Sequence, residues 1–190
     1  MAYLNQEQLE QMGFKRLGKN VKISDKASIY NPETIEIDDN SRIDDFCVLS
    51  GKLIIGKYVH IAPQCLVAGG DEGITFSDFC GLAYQGQIFT QSDDYTGLNL
   101  TNPNIPSRYT KVFKKKVFLG KHVIIGAGSM VFPGVHIAEG CSVGAMTLVN
   151  KSTEAWGIYV GNPAKRVKER KKDLLILEKQ FLEERTNDHI

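Results

Sequence analysis

The chain has 190 residues, a length that suits one domain or one domain with short additions. Its content of 42% hydrophobic and 24% charged residues is that of an ordinary globular protein. A net charge of +1 gives no general attraction to nucleic acid or to an anionic membrane, so we expect neither as a partner.

The amino-terminal stretch MAYLNQEQLEQMGF lacks the apolar segment of a signal peptide, and residues 6–12 have the pattern of a brief helix. No apolar run approaches the ~18 residues that a membrane span requires. The four cysteines, Cys47, Cys65, Cys80 and Cys141, lie far apart and form no C-x-x-C pair. We therefore expect a cytoplasmic protein with reduced core thiols, no membrane insertion and no metal.

From residue 17 onward, aliphatic side chains recur at every sixth position. Six positions rotate about 240° around an α-helix, which would scatter these residues over several helical faces. A solenoid of parallel strands explains the spacing, because each short strand contributes one inward residue before the chain turns a corner. The periodic residues form four runs, the second after a two-residue slip: Leu17, Ile23, Ile29 and Ile35; Ile37, Ile43, Leu49, Ile55, Ile61 and Val67; Phe76, Leu82 and Ile88; Leu119, Ile125, Val131, Ile137, Val143 and Val149.

A second, weaker set of residues lies four places after the aliphatic ones in the last run. Its members are small or β-branched, which suits tight corners between short strands: Val123, Ser129, Val135, Cys141 and Thr147.

The segment FTQSDDYTGLNLTNPNIPSRYTKVFKKK, residues 89–116, abandons the period and is rich in Asn, Pro, Ser and charge. Loops of this length inside a compact domain are usually functional or disordered. We interpret it as a long excursion from the coil. Its Asp93 and Asp94 are candidate substrate-binding or catalytic acids, with turn formation as the structural alternative.

The last segment, KRVKERKKDLLILEKQFLEER at residues 165–185, predicts a C-terminal amphipathic helix that caps the solenoid. The pattern therefore predicts a single domain in five parts: a helical segment at 1–16, coils at 17–88, an extended loop at 89–116, coils at 117–160, and an exit turn with the C-terminal helix at 161–190.

The stretch IGAGSMVFPGVHIAEGCSVGAMTLVNK, followed by YVGNPAKRVKER, resembles the cofactor end of the hexapeptide-repeat acyltransferases. This resemblance covers nearly the whole chain and implies an all-β fold, a left-handed parallel β-helix. It also implies a homotrimer, with acetyl-CoA or another short acyl-CoA in the groove between neighbouring coils and the acceptor where two subunits meet.

Within that family, ASIYNPETIEIDDNSRIDDFCVLSGKLIIGKYVHIAP and the DDYTG loop resemble the N-acyltransferases of dTDP-linked 4-amino-4,6-dideoxy sugars. This likeness implies transfer of an acyl group to a sugar amine for surface polysaccharide biosynthesis. Polysaccharide O-acetyltransferases share these features in part.

For the cofactor, the resemblance implies that the small corner residues Ala127 and Ala145 contact CoA, with Asn150 and Lys151 further along. Small residues let a pantetheine arm approach the backbone closely, although coil geometry demands them too. Three basic residues after GNPA suit the CoA phosphates, with a solvated surface as the alternative: Lys165, Arg166 and Lys168.

The O-acetyltransferases of this fold use a histidine after the IAP coil as general base. Here that region reads IAPQCLVAGGDEGITF, which supplies Asp71 and Glu72 but no histidine. An amine acceptor is already nucleophilic when neutral, so the sequence favours N-acylation. The catalytic candidates are Asp94, favoured over Asp93 on resemblance alone, then Glu72, and His60 on an outward position of its coil.

Three alternatives remain open at this point. The first is O-acetylation of a polysaccharide sugar, galactoside or xenobiotic, for which a raised carboxylate pKa could supply the base. The second is a metal-binding β-helix of the carbonic-anhydrase type, which needs three converging histidines; the spacing of His60, His122 and His136 does not suggest it. The third is a catalytically inactive scaffold.

Overall fold

The computed structural model describes residues 2–187, so Met1 and the last three residues of the predicted exit segment lie outside the described residues. Most of the chain forms three parallel sheets, which each turn of the chain visits in the order face 1, face 2, face 3. None of the helices in this range has the length and apolar character needed to cross a bilayer.

Face 1 runs along the whole solenoid and contains β1 (Arg16–Leu17), β4 (Ile35–Ile37), β7 (Leu53–Ile55), β10 (Ile74–Phe76), β15 (Val117–Leu119) and β18 (His136–Ile137). Face 2 contains β2 (Lys22–Ile23), β5 (Arg42–Ile43), β8 (His60–Ile61), β11 (Gly81–Leu82), β16 (Ile124–Ile125), β19 (Ser142–Val143), β21 (Gly157–Val160) and β22 (Lys165–Glu169). Face 3 contains β3 (Ser28–Tyr30), β6 (Val48–Ser50), β9 (Leu66–Ala68), β12 (Gln87–Phe89), β17 (Met130–Val131) and β20 (Leu148–Val149).

The residues that recur at every sixth position form the core of this solenoid, as predicted. Each face points one periodic residue per coil inward, and parallel pairing stacks these residues in register on the next coil. The weaker set four places on is buried at the corners, with Val123 and Ser129 both 0% exposed. The stack on face 1 is Leu17, Ile37, Ile55, Phe76, Leu119 and Ile137.

The coils differ in length, and the differences all fall at one edge. Along face 1, Ile37 pairs with Ile55 and Leu119 with Ile137, which is the regular spacing of three six-residue sides. The other coils are longer, and their extra residues lie between face 3 and face 1. We call this corner line edge 3–1, and the other two edge 1–2 and edge 2–3. The added segments lie at residues 31–34, 69–73 and 90–116.

The predicted two-residue slip has its cause at the first of these places. A 3₁₀ turn at Pro32–Thr34 lengthens the corner, and β4 then points both Ile35 and Ile37 inward. Ile35 pairs with Leu53 and Ile37 with Ile55. Both residues therefore belong to the core, and the period resumes from the second.

The long excursion leaves from the third place as a two-stranded antiparallel stem. This stem consists of β13 (Gln91–Asp93) and β14 (Val112–Lys114), and a further 3₁₀ turn lies at Ser107–Tyr109. Phe89, predicted to open the excursion, belongs instead to the coil strand β12. The side chains of Tyr95 and Leu98 near the tip are 92% and 85% exposed, so nothing in the described chain packs on them.

The C-terminal segment departs from its predicted helix. Residues 165–169 form β22, which pairs antiparallel with β21, and the helix α2 spans only Leu174–Asn187. β22 covers the edge of β21, whose backbone groups would otherwise remain unpaired at the end of face 2. The prediction of a helix from residue 165 was wrong. Hydrogen bonding to the unpaired edge of β21 outweighs the helical preference of the local sequence.

Helix α2 lies along edge 1–2. It is anchored by Arg170, whose Nη1 donates to the carbonyls of His122, Gly140 and Cys141 at 2.7, 3.1 and 3.4 Å. Its predicted apolar face is only partly covered: Leu174 and Phe181 are half-buried, whereas Leu177 is 63% exposed.

At the other end of the chain, α1 (Gln6–Gln11) carries a capping box formed by Asn5 and Gln8, and its Leu9 is buried in the core. The four cysteines are buried free thiols, as expected for core fillers. Burial raises the pKa of Cys80 to about 12, so this thiol stays protonated and unreactive.

Candidate active site

Edge 3–1 gathers four of the acidic residues that the sequence singled out. Asp71 and Glu72 lie on the lengthened corner at residues 69–73, and Asp93 and Asp94 lie at the start of the excursion. The stem of the excursion touches the corner, because Lys114 Nζ lies 3.3 Å from Asp71 Oδ2. Two acidic segments that are about twenty residues apart in sequence are therefore neighbours.

Asp94 organises the loop around it. Its Oδ1 accepts hydrogen bonds from the backbone N–H and the hydroxyl of Thr96, at 2.8 and 2.7 Å, and its Oδ2 accepts one from Asn99 Nδ2 at 2.6 Å. Hydrogen bonds from Asn99 and Thr96 lower the pKa of Asp94 to about 2. The carboxylate is thus ionised at neutral pH and is a weak proton acceptor there.

Asp93 and Glu72 are placed differently. Asp93 is half-buried in the stem, and its Oδ2 accepts a hydrogen bond of 3.3 Å from the backbone of Asn102 across the loop. It lines a cavity of about 420 Å³ inside the excursion. Glu72 is exposed and lines a second cavity, of about 360 Å³, beside Lys116 and His136 on face 1.

His60 lies on β8 of face 2, pointing outward as predicted. Its Nε2 is 2.8 Å from Oδ2 of Asp44, a carboxylate whose side chain is only 2% exposed. Burial raises the pKa of Asp44, but hydrogen bonds from Arg42 and His60 outweigh it and leave the pKa below its ordinary value. His60 is therefore a carboxylate-paired imidazole on a different face from the acids of edge 3–1.

The predicted CoA contacts at the corners occupy edge 2–3. Ala145 is exposed and Ala127 half-buried, and the N–H of Met146 donates to the Ala127 carbonyl at 2.8 Å. A Cβ on Gly126 would lie 2.5 Å from the backbone nitrogen of Ala145, so successive corners stack backbone on backbone. Asn150 and Lys151 are exposed just after β20.

The three predicted phosphate ligands lie on β22 rather than on a helix, and they are not equivalent. Arg166 already forms ion pairs, with Glu169 at 2.7 Å and Glu154 at 3.6 Å. Lys165 and Lys168 are exposed and form no ion pair with any residue in the described range. Of the three, these two lysines have their charge available for a phosphate.

One chain therefore does not bring all the candidates together. The acids lie at edge 3–1, His60 on face 2, and Ala127 and Ala145 at edge 2–3. Across residues 2–187, no group of three or more His, Cys, Asp or Glu side chains is arranged to hold a metal ion. Within one chain, the acids and the alanines therefore lie at different edges of the solenoid.

Sequence reasoning missed a cavity of about 580 Å³ at edge 3–1. Its walls come from three successive corners and from Gln91 at the base of the excursion. The signal was present, since two of these corners are places where the period slips. The lining residues are Lys15, Asn31, Glu33, Thr34, Ser50, Gly51, Lys52, Ala68, Gly70, Asp71 and Gln91.

Comparison with known proteins extends over the whole chain. The sequence is 45% identical over 193 residues to dTDP-4-amino-4,6-dideoxy-D-glucose acyltransferase of Escherichia coli, with 100% of each chain covered. No protein-family model matches the sequence.

Solved structures agree closely with the fold. The N-acyltransferase AntD of Bacillus cereus, in complex with dTDP and 3-hydroxybutyryl-CoA, is 48% identical and superposes with a TM-score of 0.95 over 97% of this chain and 98% of that one. A variant of AntD in complex with dTDP-4-amino-4,6-dideoxyglucose and Coenzyme A is 49% identical, with a TM-score of 0.95 over 96% of this chain and 98% of that one.

These matches confirm the predicted all-β, left-handed parallel β-helix and the acyltransferase class. The chain belongs to the family of hexapeptide-repeat acyltransferases that includes dTDP-4-amino-4,6-dideoxy-D-glucose acyltransferase.

Proposed function

We propose that this chain transfers an acetyl or other short acyl group from acyl-CoA to the amine of a dTDP-linked 4-amino-4,6-dideoxy sugar. The observation that carries the proposal is the full-length, 45% identical match to an acyltransferase of that substrate class. The acids at edge 3–1 support an amine acceptor, because a carboxylate can accept a hydrogen bond from the amine and orient it towards the thioester.

We also propose that the enzyme is a cytoplasmic homotrimer that serves surface polysaccharide biosynthesis. The distribution of the candidate residues supports an oligomer. In one chain the acids at edge 3–1 and the alanines at edge 2–3 lie on different edges, and a neighbouring copy would supply the missing half of the site. Acyl-CoA and nucleotide sugars are intracellular metabolites, which supports the location.

The reaction needs the amine in its neutral form. The lone pair of the nitrogen attacks the thioester carbonyl, the C–S bond breaks, and the amide forms while the CoA sulfur leaves. The amine loses one proton and the CoA thiol gains one, so the reaction is balanced without any other reagent. A free thiol has a pKa near ~8.5, so the departing sulfur is a competent proton acceptor at neutral pH.

Within this scheme, we assign Asp94 to binding and orienting the acceptor amine, with Asp93 and Glu72 beside it. A carboxylate with a pKa of about 2 stays ionised, which suits attraction of a cationic or polarised amine better than proton abstraction. His60 lies on face 2 and pairs with Asp44, and it is the alternative catalytic candidate that a neighbouring copy could supply.

On the donor side, we assign Ala127 and Ala145 to the pantetheine arm, with Asn150 and Lys151 further along the same coils. Lys165 and Lys168 are our candidates for the CoA phosphates, and Arg166 contributes less because its charge is already paired. Cations at these positions would attract the phosphates through charge-assisted hydrogen bonds.

The test is a thiol-release assay with acetyl-CoA and short acyl-CoAs. The acceptors are dTDP-4-amino-4,6-dideoxyglucose and the matched dTDP-6-deoxyglucose, which carries a 4-hydroxyl instead. We expect turnover with the amine only. Turnover confined to the hydroxyl compound, or to simple galactosides, would replace N-acylation by O-acylation, and no binding of acetyl-CoA would mark an inactive scaffold.

A further inference from the structure

The corners of edge 2–3 are joined to one another by a series of backbone hydrogen bonds. The N–H of Met146 donates to the Ala127 carbonyl at 2.8 Å, and the N–H of Gly128 donates to the Tyr84 carbonyl at 2.9 Å. The corners nearer the N-terminus continue this pattern, so each corner adds one residue to a single column. We call it the edge 2–3 column, and from the C-terminal end it contains Ala145, Ala127, Tyr84, Pro63 and Asp45.

Tyr84 has by far the largest side chain of these five residues. Its ring is 63% exposed in the single chain, so it projects from the edge of the solenoid. Ala127 lies on the next corner, at the spacing of about 4.8 Å that separates neighbouring strands. The surface that is open along the two alanines of the column therefore ends at a phenol ring.

The assigned donor contacts give the column a direction. Lys165 and Lys168, our candidates for the CoA phosphates, lie on β22, which pairs with β21 at the C-terminal end of face 2. A pantetheine arm that starts there passes Ala145 first and Ala127 second, and it carries the thioester towards Tyr84. The acyl group is then the part of the donor that meets the ring.

The acids assigned to the acceptor lie at the same height of the solenoid. Asp93 and Asp94 come soon after β12, and the coil that ends in β12, residues 74–89, also contains Tyr84. Rotation about an axis parallel to the solenoid leaves the height of every residue unchanged. In a cyclic assembly with such an axis, a neighbouring copy presents its acids level with Tyr84.

We propose that Tyr84 limits the length of the acyl group, so that the enzyme uses acetyl-CoA in preference to longer acyl-CoAs. The inference rests on the proposed function for the reaction and for the course of the donor, and it adds the residue that selects the donor. A two-carbon acyl group ends before the ring, whereas a longer chain has to displace the ring or leave the column. The bonds that form and break are the same for every acyl length.

The test is thiol release from acetyl-CoA, butyryl-CoA and hexanoyl-CoA by the wild type and by Tyr84→Ala, with dTDP-4-amino-4,6-dideoxyglucose as the acceptor. One methylene in an apolar pocket changes kcat/KM by about tenfold or more. We therefore expect the ratio of kcat/KM for butyryl-CoA to kcat/KM for acetyl-CoA to rise at least about tenfold in Tyr84→Ala. An unchanged ratio would overturn the proposal.

Two further variants separate the size of the ring from its other properties. Tyr84→Phe keeps the ring and removes the hydroxyl, so the ratio should keep its wild-type value. Phe46→Ala removes another exposed ring of edge 2–3, two corners away and outside the column, and should also keep that value. A ratio that rose in either variant as much as in Tyr84→Ala would reject a steric limit set by Tyr84.

Equilibrium binding distinguishes failure of this inference from failure of the proposed function. The probes are the unreactive thioethers S-ethyl-CoA and S-hexyl-CoA, whose affinities calorimetry measures without any transfer. The preference for the ethyl over the hexyl probe should fall at least about tenfold in Tyr84→Ala, since the added methylenes gain an apolar surface. A shifted preference in a protein that releases no thiol would reject the proposed function alone, and thiol release with an unshifted preference would reject this inference alone.

Discussion

Edge 1–2 and edge 3–1 are built from the same repeating coil but in opposite ways. At edge 1–2 every coil turns in the same number of residues, and one residue per corner adopts a left-handed backbone with φ between 55° and 69°. At edge 3–1 the corners vary from the regular length to a 27-residue excursion, residues 90–116. The residues of this series at edge 1–2 are Asn20, Asn40, Tyr58, Phe79, His122, Gly140 and Trp156.

The left-handed conformation is adopted by different types of residue at the two edges. It suits Gly and Asn but costs about 1–2 kcal/mol for other residues. Tyr58 and Phe79 nevertheless adopt it, and their rings stack with centroids 4.9 Å apart, while Phe181 of α2 contacts both edge-on. Packing of these rings thus offsets the cost of the left-handed backbone at edge 1–2. The residues at this edge therefore contribute to the stability of the fold. At edge 3–1 the left-handed corner residues are Asn31 and glycines such as Gly51 and Gly70, which adopt this conformation at little cost.

The largest expected effect on activity is at edge 3–1. Asp94→Asn removes the ionised carboxylate that we assign to the amine, and we expect kcat/KM to fall about 100-fold with little change in unfolding free energy. Thiol release measures the first and urea denaturation the second. Asp25→Asn, at an exposed corner of edge 2–3, is the matched control and should retain full activity; an unchanged kcat/KM in Asp94→Asn would remove Asp94 from the site.

The largest expected effect on stability is at edge 1–2. Phe79→Ala removes a stacked ring from the contacts with Tyr58, His122 and Phe181, and we expect a loss of about 2–3 kcal/mol in urea denaturation. Tyr109→Ala, a half-exposed ring in the excursion, should stay within about 0.5 kcal/mol of the wild type. Equal losses of unfolding free energy in the two variants would show that edge 1–2 contributes no more to stability than the excursion at edge 3–1.

Helix α2 should depend on pH through Glu178, whose oxygens lie 2.8 Å from His122 Nε2 and within ion-pair distance of Lys121 Nζ. Burial raises the pKa of Glu178, but the hydrogen bonds from Lys121 and His122 outweigh it, so the pKa lies below its ordinary 4.5. The stabilisation is therefore present above pH 4.5 and is lost as the pH falls through the folded-state pKa.

Glu178→Gln tests this dependence. We expect the variant to be about 1 kcal/mol less stable at pH 7 and the difference to shrink as the solution is acidified. Urea denaturation between pH 7 and pH 3 measures it, with Glu183→Gln on the exposed side of α2 as the control. A difference that stayed constant over this range would attribute the loss to packing rather than to charge.

The smallest expected effect concerns the donor phosphates on β22. Lys165→Gln and Lys168→Gln should each raise the KM for acetyl-CoA about threefold to fivefold without changing kcat, since an exposed charge contributes under about 1 kcal/mol. Arg166→Gln should change it less, because Glu154 and Glu169 already compensate its charge. Equal increases in KM for the three variants would instead indicate a general electrostatic effect of the positive charges on face 2, without specific contacts to the phosphates.

Prediction from the sequence was most accurate where residues close together in the chain determine the structure. Ile37, Ile55 and Leu119 were predicted to point inward because a six-residue repeat leaves no other arrangement, and their side chains are fully buried. It was weakest where a local pattern competes with a distant partner. Residues 165–169 have helical composition, yet they form a strand because β21 presents an unpaired edge.

His122 is an example of a contact that only the tertiary structure reveals. Helix α2 returns along edge 1–2 and leaves this side chain 7% exposed against Glu178. The two partners are 56 positions apart in the sequence, and no local pattern indicates their contact.

The sequence by itself determined the repeating core, the place where the chain leaves it and the family to which the chain belongs, since each depends on residues close together in the chain. Only the tertiary structure decided which corners meet. Slips at residues 31–34 and 69–73 are minor irregularities in sequence, but parallel stacking places both on the edge from which the excursion leaves. A cavity of about 580 Å³ forms between these corners because coil length, summed over successive turns, sets which distant residues share an edge.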